Sequence, residues 1–477
     1  MILAQNYYTG LFGVEVKTME DLTALAMASG GDYADLFFES TVGHNLYLRD
    51  GEVTAGGIHT DYGVGIRVLK GERTGYAYAE STRLADMQAA ARAASAIALG
   101  APASEPRPTW AFRGTPNPAA DRYPMLQDWR TTPLDGFVPL LKDLEARIRA
   151  KDSRIIKVLA VLNSSVSDVM MYNAHGELKY DTRPNGTLAV SVVYGDGKKV
   201  QNNHVSRSFN AGAEMLTPEL LETLAAEATR GLDERLAAKR PKGGKMPVVM
   251  GAGASGILLH EAMGHAFEAD FNRKGQSVFS DKMGSRICRP GITIVDDATL
   301  RGNRGSLNFD DEGVPGQRTC MVEDGILTSF LHDRMSAAWY GVKPTGNGRR
   351  ESFRFNPIPR MRATYMESGD ALPQDIIASV SHGIYVDEFA NGQVKIGEGD
   401  FTFYVKSGFL IENGRLTQPV TDINMIGNGP QALADIVAVG NDGRVDEGAW
   451  TCGKEQQVPV SCGIPTVLVR ELTVGGE

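Results

Sequence analysis

Lys245-Met246-Pro247-Val248-Val249-Met250-Gly251-Ala252-Gly253-Ala254-Ser255-Gly256-Ile257-Leu258-Leu259-His260-Glu261-Ala262-Met263-Gly264-His265 is the stretch that decides how this 477-residue chain is read. It begins as a strand, turns through glycines and enters an apolar helix bearing two imidazoles and a carboxylate. Gly251 to Gly256 matches G-x-G-x-x-G, the pattern that lets a helix N-terminus hold a dinucleotide pyrophosphate. That arrangement also needs a second buried strand after the helix, ending in an acidic residue about 20 positions on. Asp270 has nearly the right distance, yet Ala266 to Gly284 contains no apolar run able to be that strand. The glycines therefore read as a tight strand-to-helix turn, and a nucleotide-cofactor oxidoreductase is kept only as an alternative.

His260, Glu261 and His265 stand in the order used by metal-dependent hydrolases, where two histidines bind the ion and the glutamate acts as general base. The usual spacing between the histidines is four; here it is five. On a regular α-helix five residues turn about 500°, which leaves the rings roughly 140° apart. A single π turn absorbs one residue and restores the offset of an i, i+4 pair. Gly264 makes such a distortion cheap. Leu258, Leu259, Ala262, Met263, Ala266 and Phe267 make the helix apolar. Its polar groups therefore need partners, and a metal with its water supplies them.

Zinc in a catalytic site takes three protein ligands and a water. Candidates for the third are Glu268, Asp270, His332, His382, Cys288, Cys320, Cys452 and Cys462, and spacing alone does not choose among them. Cys288 and Cys320 look like ordinary strand residues. Cys452 lies in a glycine-flanked loop, Gly448 to Lys454, whose lysine favours a thiolate.

Further motifs recur in order along the chain. They are Tyr33 to Glu39, Gly63-Val64-Gly65-Ile66-Arg67, Thr74 to Tyr78, Asp310 to Gly316, Gly346-Asn347-Gly348-Arg349-Arg350, Pro359-Arg360-Met361, Gly399-Asp400-Phe401, Leu410 to Gly414, Cys452-Gly453-Lys454 and Leu472 to Gly476. With the H-E-x-x-x-H segment, this set resembles the TldD/PmbA family, on its TldD branch, over nearly the whole chain. The resemblance implies one zinc per chain held by His260, His265 and Cys452, with Glu261 as base acting on a zinc-activated water. It implies unfolded or flexible peptides as substrates, and a heterodimer with a metal-free TldE/PmbA-like paralogue, a homodimer remaining open. Two departures stand out: Gln456 where a glycine is usual after C-G-K-x, and Arg362-Ala363-Thr364 in place of a usual polar segment. For the oxyanion of a tetrahedral intermediate, Arg349, Arg350, His332 and Lys454 are candidate donors. A regulatory or binding subunit without catalysis is the other reading; an intact metal set speaks against it.

The net charge of −9 gives no electrostatic reason to expect nucleic-acid binding. No apolar run of membrane-spanning length and no basic, apolar leader is evident, so a cytoplasmic protein is expected. Four scattered cysteines do not make a disulfide framework. The expected fold is α+β: a mixed α/β region over 1–242, then an antiparallel β-rich domain over 243–477 carrying the metal helix. In the first region, Leu84 to Leu99 and Leu134 to Ala150 read as helices. Between them, residues 101–133 hold seven prolines (102, 106, 108, 116, 118, 124 and 133), an irregular connection anchored by Trp110, Phe112, Tyr123 and Trp129. Ile155 to Leu162, Val166 to Tyr172, Glu177 to Tyr180 and Leu188 to Tyr194 read as strands. Thr217 caps a helix expected to run to about Ala238, with the basic run Lys239 to Lys245 at its negative end. Asp324-Gly325, Asn391-Gly392 and Asn413-Gly414 read as hairpin turns.

Overall fold

A computed structural model describes residues 3–99, 121–395 and 398–476. Its first half is organised by one antiparallel sheet of six long strands: β1 (Tyr33–Arg49), β2 (Glu52–Lys70), β3 (Arg73–Ala79), β4 (Ile155–Asn173), β5 (Leu178–Gly195) and β6 (Val200–Phe209), in the order β3-β2-β1-β4-β5-β6. Alternation of side chains gives this sheet two unlike faces. One face is apolar. Near β1 and β2 it packs Leu36, Phe38, Val64 and Ile66 against helices Gln5–Phe12, Val16–Ala26 and Leu84–Leu99. Toward β4 to β6 it packs Val158, Leu162 and Val190 against Val138–Lys151 and Pro218–Ala228. The opposite face is largely polar and turns toward the second half.

The long strands correct the expectation of shorter ones. Asn163, Ser164 and Ser165 do not break β4, because they pair with Asn45, His44 and Gly43 of β1. In β5, Pro184 pairs with Val166 of β4, while pairing with β6 begins only at Gly186. The edge that lacks an N–H at Pro184 therefore has no ladder to break. The helix after Thr217 is also shorter. Thr217 does cap it through Leu220 N, but Gly231 adopts a left-handed φ of 69° and splits off Leu232–Ala237. At the second C-terminus Lys199 Nζ donates to Leu236 O at 2.9 Å, while of the basic run Arg240 lies 3.9 Å from Asp422 and Lys245 3.1 Å from Glu471. Of the proline-rich connection, residues 101–120, with Trp110 and Phe112, lie outside the described residues. Tyr123 and Trp129 are buried anchors, and Trp129 Nε1 donates to Ala211 O.

The second half is strand-rich, and with the first makes the chain α+β. Its central strand β7 (Gly244–Met250) lies between Val467–Val474, antiparallel, and His382–Lys395, parallel. A second sheet of short strands holds one more parallel pair, Ala363–Met366 with Ser461–Ile464. Asp324-Gly325 and Asn413-Gly414 turn hairpins with positive φ at both residues. Asn391-Gly392 does not. Gly392 sits within a strand opposite Phe403, and a Cβ there would meet that ring at 2.0 Å, so the glycine makes room for an aromatic side chain. No helix among the described residues is long and apolar enough to cross a membrane.

Candidate metal centre

From β7 the chain turns at Gly253, whose φ of 91° favours glycine, and enters a continuous helical stretch. Gly256 there lies against the backbone of Gly463, which a Cβ would meet at 2.5 Å. The next strand after this helix, Ile294–Asp297, belongs to the other sheet. The glycine pattern thus serves close packing and is not part of a βαβ unit.

Residues His260–Gly264 form a π turn, flanked by the helical turns Ile257–Leu259 and His265–Phe267. The extra residue brings the two imidazoles to one side, with ring centroids 5.2 Å apart. Gly264 itself has ordinary helical angles, φ −58° and ψ −47°. Its missing side chain matters for another reason: a Cβ would lie 2.1 Å from Met361 Sδ.

Cys452 comes from the opposite side of the fold. It lies in a small antiparallel hairpin, Thr451–Lys454 with Gln456–Pro459, turned by Glu455 at a φ of 56°. The expected loop is thus a strand, whose alternation points Cys452 and Lys454 inward and Thr451 outward. Buried Arg360 holds this hairpin: its guanidinium donates to Cys452 O at 2.7 Å and Gln456 O at 2.9 Å. Gln456, the departure noted above, joins the hairpin to Glu351 N and Asn356 O. Arg362, in the other departure, is buried and donates to Gly346 O.

One ligand atom from each of His260, His265 and Cys452 lies within 4.8 Å of the other two, and all three residues are buried. Cys452 Sγ is 3.3 Å from His265 Nε2. Burial pushes the Cys452 thiol up, but the facing His260 and His265 imidazoles outweigh it and hold it down at about 4. His260 tests whether a metal fits. Both of its ring nitrogens are buried and neither has a hydrogen-bond partner, a costly state that a coordinated cation removes. Two imidazoles and a thiolate are a donor set suited to zinc.

His265 is held from behind. Its Nδ1 lies 2.9 Å from Glu268 Oε2, which leaves Nε2 facing the sulfur. Glu268 is fully buried. Burial raises its carboxyl, but the Lys454 ammonium and His265 outweigh that and hold it at about 2. Lys454 Nζ contacts Glu268 at 2.9 Å, Asp270 at 2.9 Å and Pro359 O at 3.2 Å. Its three donors are thereby used, and none remains for an oxyanion. Glu268 and Asp270, weighed as ligands, are the outer support of the histidine. Such partners orient metal-bound histidines. Sequence reasoning missed this role, and it missed Arg360; only the i, i+3 spacing of His265 and Glu268 hinted at the first.

Glu261 is partly exposed, and its Oε2 lies 4.0 Å from His265 Nε2, on the side of the ring that faces Cys452. The other candidates fall elsewhere. Among the described residues no further group of three potential ligands forms. His332 packs against Phe330 and Tyr340, and burial pushes it down to about 4. His382 begins an exposed strand end. Cys320 is in a strand, while Cys288 lies in irregular chain, against expectation; Cys462 is buried with its thiol raised by burial. All four cysteines are free. Arg350 stacks on Phe37 at 4.2 Å and donates to Tyr76 Oη and Asp311 O. Arg349 donates to Met361 O and Pro459 O.

Comparison with known proteins agrees with this architecture. Residues 243–476 match the model of the PmbA/TldA metallopeptidase C-terminal domain, 34–98 that of domain 1 and 127–236 that of the central domain. The chain is 40% identical over 451 residues to a Haemophilus influenzae protein named metalloprotease TldD homolog, covering 93% of each. It is 31% identical over 456 residues to a metalloprotease of Methanothermobacter thermautotrophicus, covering 93% of this chain and 96% of that one. Its fold matches the crystal structure of TldE from Thermococcus kodakarensis with a TM-score of 0.75 at 20% identity, over 96% of this chain and all of that one. By sequence over 93% of its length and by fold, the chain belongs to the TldD/PmbA family of metallopeptidases.

Proposed function

We propose that this chain is a zinc peptidase acting on unfolded or flexible peptides, with His260, His265 and Cys452 as ligands of one zinc ion and Glu261 as general base. The observation that carries this reading is the buried triad of donor atoms within 4.8 Å, with His260 nitrogens that make no hydrogen bond and the Glu261 carboxylate beside it. Bound there, zinc supplies a Lewis acid for the peptide carbonyl and for water. Glu261 Oε2 takes the proton of the attacking water and hands it to the departing amine. Glu268 and Lys454 keep His265 oriented through both steps.

Extended substrates suit an open sheet edge. The Glu52–Gly63 portion of β2 pairs with β1 but, among the described residues, with no strand on its other side. A peptide added there is recognised through its backbone, with little sequence preference. The likeness to a TldE chain supports a heterodimer with a metal-free paralogue. We place the protein in the cytoplasm and assign the metal to a unit spanning 243–477, with 1–242 as the substrate-facing unit.

The test is Glu261→Gln. Elemental analysis is expected to find one zinc per chain in both proteins, and hydrolysis of an unfolded peptide to fall by about 100-fold or more in the variant. Full activity in the variant removes Glu261 as base; absence of zinc from the wild type removes the reading altogether.

A further inference from the structure

The hairpin that carries Cys452 has a second face. Its outward residues Thr451, Gln457 and Pro459 line a cleft of about 800 Å³ between the polar face of the six-stranded sheet and the second half. None of His260, Glu261 and His265 lines it, so cleft and metal group lie on opposite sides of one thin ribbon.

The cleft's charges are unevenly matched. Of its arginines, Arg183 pairs with Asp311, Arg354 with Asp61 and Glu80, and Arg350 lies 3.6 Å from Asp35. Its carboxylates are engaged as well: Asp61 and Asp311 in those pairs, Glu39 by Phe353 N and Thr41 Oγ1, and Glu351 by Gln457 N. Arg304 and Arg349 differ. Arg304 donates only to neutral oxygens: Trp450 O, Asn185 Oδ1, Thr187 Oγ1, Ser208 Oγ and Thr451 Oγ1. Arg349 donates to Met361 O and Pro459 O. Among the described residues, neither has a carboxylate within ion-pairing distance.

The two cations bracket one end of the hairpin, since Arg304 holds Thr451 and Arg349 holds the residue paired with it, Pro459. Burial lowers both, Arg304 to about 10 and Arg349 to about 9, where Arg362 and Arg360 add to burial and Asp311 and Asp296 offset it only in part. A buried cation with no directly paired carboxylate is costly, and an arriving anion lowers that cost. Arg349 keeps its Nε–H and one N–H on each Nη for a carboxylate, and Arg304 keeps one N–H on Nη2. Thr41, Ser165, Ser167 and Asn185 line the floor with hydrogen-bonding groups, as an extended peptide requires.

We propose that this cleft is an anion subsite that takes a peptide carboxylate between Arg304 and Arg349 and so seats substrate on the outer face of the Cys452 hairpin. The inference rests on the peptidase reading and adds a substrate class to it: peptides bearing a carboxylate at an acidic side chain or at the C-terminus.

The experiment uses full-length Glu261→Gln protein and fluorescence anisotropy with three labelled peptides of one core sequence: acidic side chains with a C-terminal amide, glutamine in their place with a free C-terminus, and glutamine with an amide. At least one carboxylate-bearing peptide is expected to bind about tenfold or more tightly than the neutral one, and which one does names the source of the carboxylate. Arg304→Gln and Arg349→Gln should each remove that preference, while Arg354→Gln, already neutralised in the same cleft, should keep it. Zinc content and melting temperature are read beside each variant. Should Arg304→Gln or Arg349→Gln not fold, the peptide series on the parent and its weakening by salt decide. Equal affinity for all three peptides, or a preference that survives both folded arginine variants, overturns the proposal. If wild type hydrolyses nothing yet binds the carboxylate peptides, the peptidase reading fails and the subsite stands. If it hydrolyses peptides with no response to their charge, the subsite fails alone.

Discussion

His260 and His265 sit at the two ends of one π turn, almost equally buried, and are treated oppositely by the protein around them. His265 is backed by Glu268, which is backed by Lys454, which is backed by Asp270 and a backbone carbonyl. His260 faces the Cys452 sulfur, but neither of its ring nitrogens makes a hydrogen bond. One end of the turn is fixed by protein partners; the other keeps its hydrogen-bonding capacity unused. The difference teaches that a rigid histidine and a thiolate set a frame, and that an imidazole without a hydrogen bond is the part of it a bound cation would satisfy.

The largest expected effect comes from breaking the frame across the fold. Cys452→Ala should lower zinc affinity more than about a hundredfold, read by competition with a chromogenic chelator. Near-normal affinity would show that the sulfur is a bystander. His260→Phe should also abolish tight binding, while in the metal-free protein the loss of its hold on the Cys452 thiol is offset by removal of a buried polar group that makes no hydrogen bond, so the melting temperature should change little.

Glu268→Gln acts on the other end. It should reduce zinc affinity about 10- to 100-fold and, unlike His260→Phe, destabilise the metal-free protein by about 3 kcal/mol, since Lys454 loses its main buried partner. Equal melting temperatures for the two metal-free variants would erase the contrast between the ends of the turn. Gly264→Ala tests the turn between them. The added methyl meets Met361 Sδ, and a loss of about 1 to 3 kcal/mol in urea unfolding is expected from overpacking.

The smallest effect is on pH dependence in the metal-free protein. The Cys452 thiol, held low by the two imidazoles against burial, contributes stability that is present above its ordinary value of 9.0 and lost as pH falls through about 4. His265 is lowered by burial but raised more by Glu268 and Cys452, to about 10, so its contribution is full below its ordinary 6.5 and lost as pH rises through about 10. These opposite slopes predict stability rising from about pH 4 to 6.5, level to about 9 and then falling. A steady rise through neutral pH in denaturant titrations would mean that His265 is not protonated beside the sulfur.

Much of the fold was legible where local rules are strong. The alanine-rich helix at Leu84–Leu99, the Thr217 cap and the Asp324-Gly325 and Asn413-Gly414 turns follow from propensity, capping and positive φ. Asn391-Gly392 has the same dipeptide signature as a turn and yet lies in a strand, because the space above Gly392 belongs to the Phe403 ring. Serines and a proline inside β4 and β5 look like interruptions until their partners across the sheet are known.

The sequence by itself determined the chemistry on one helical turn: the five-residue spacing of His260 and His265 admits a shared ion only through a π turn, since helix geometry is local and periodic. Spacing left eight candidates for a third donor and the family resemblance pointed to Cys452; only the tertiary structure brings it there, from a hairpin 187 residues beyond His265, and turns Glu268, Asp270 and Lys454 into support. It decided too that two arginines face a cleft with, among the described residues, no carboxylate within ion-pairing distance. Contacts across such distances depend on packing and charge compensation among many elements, and no local pattern in the chain encodes them.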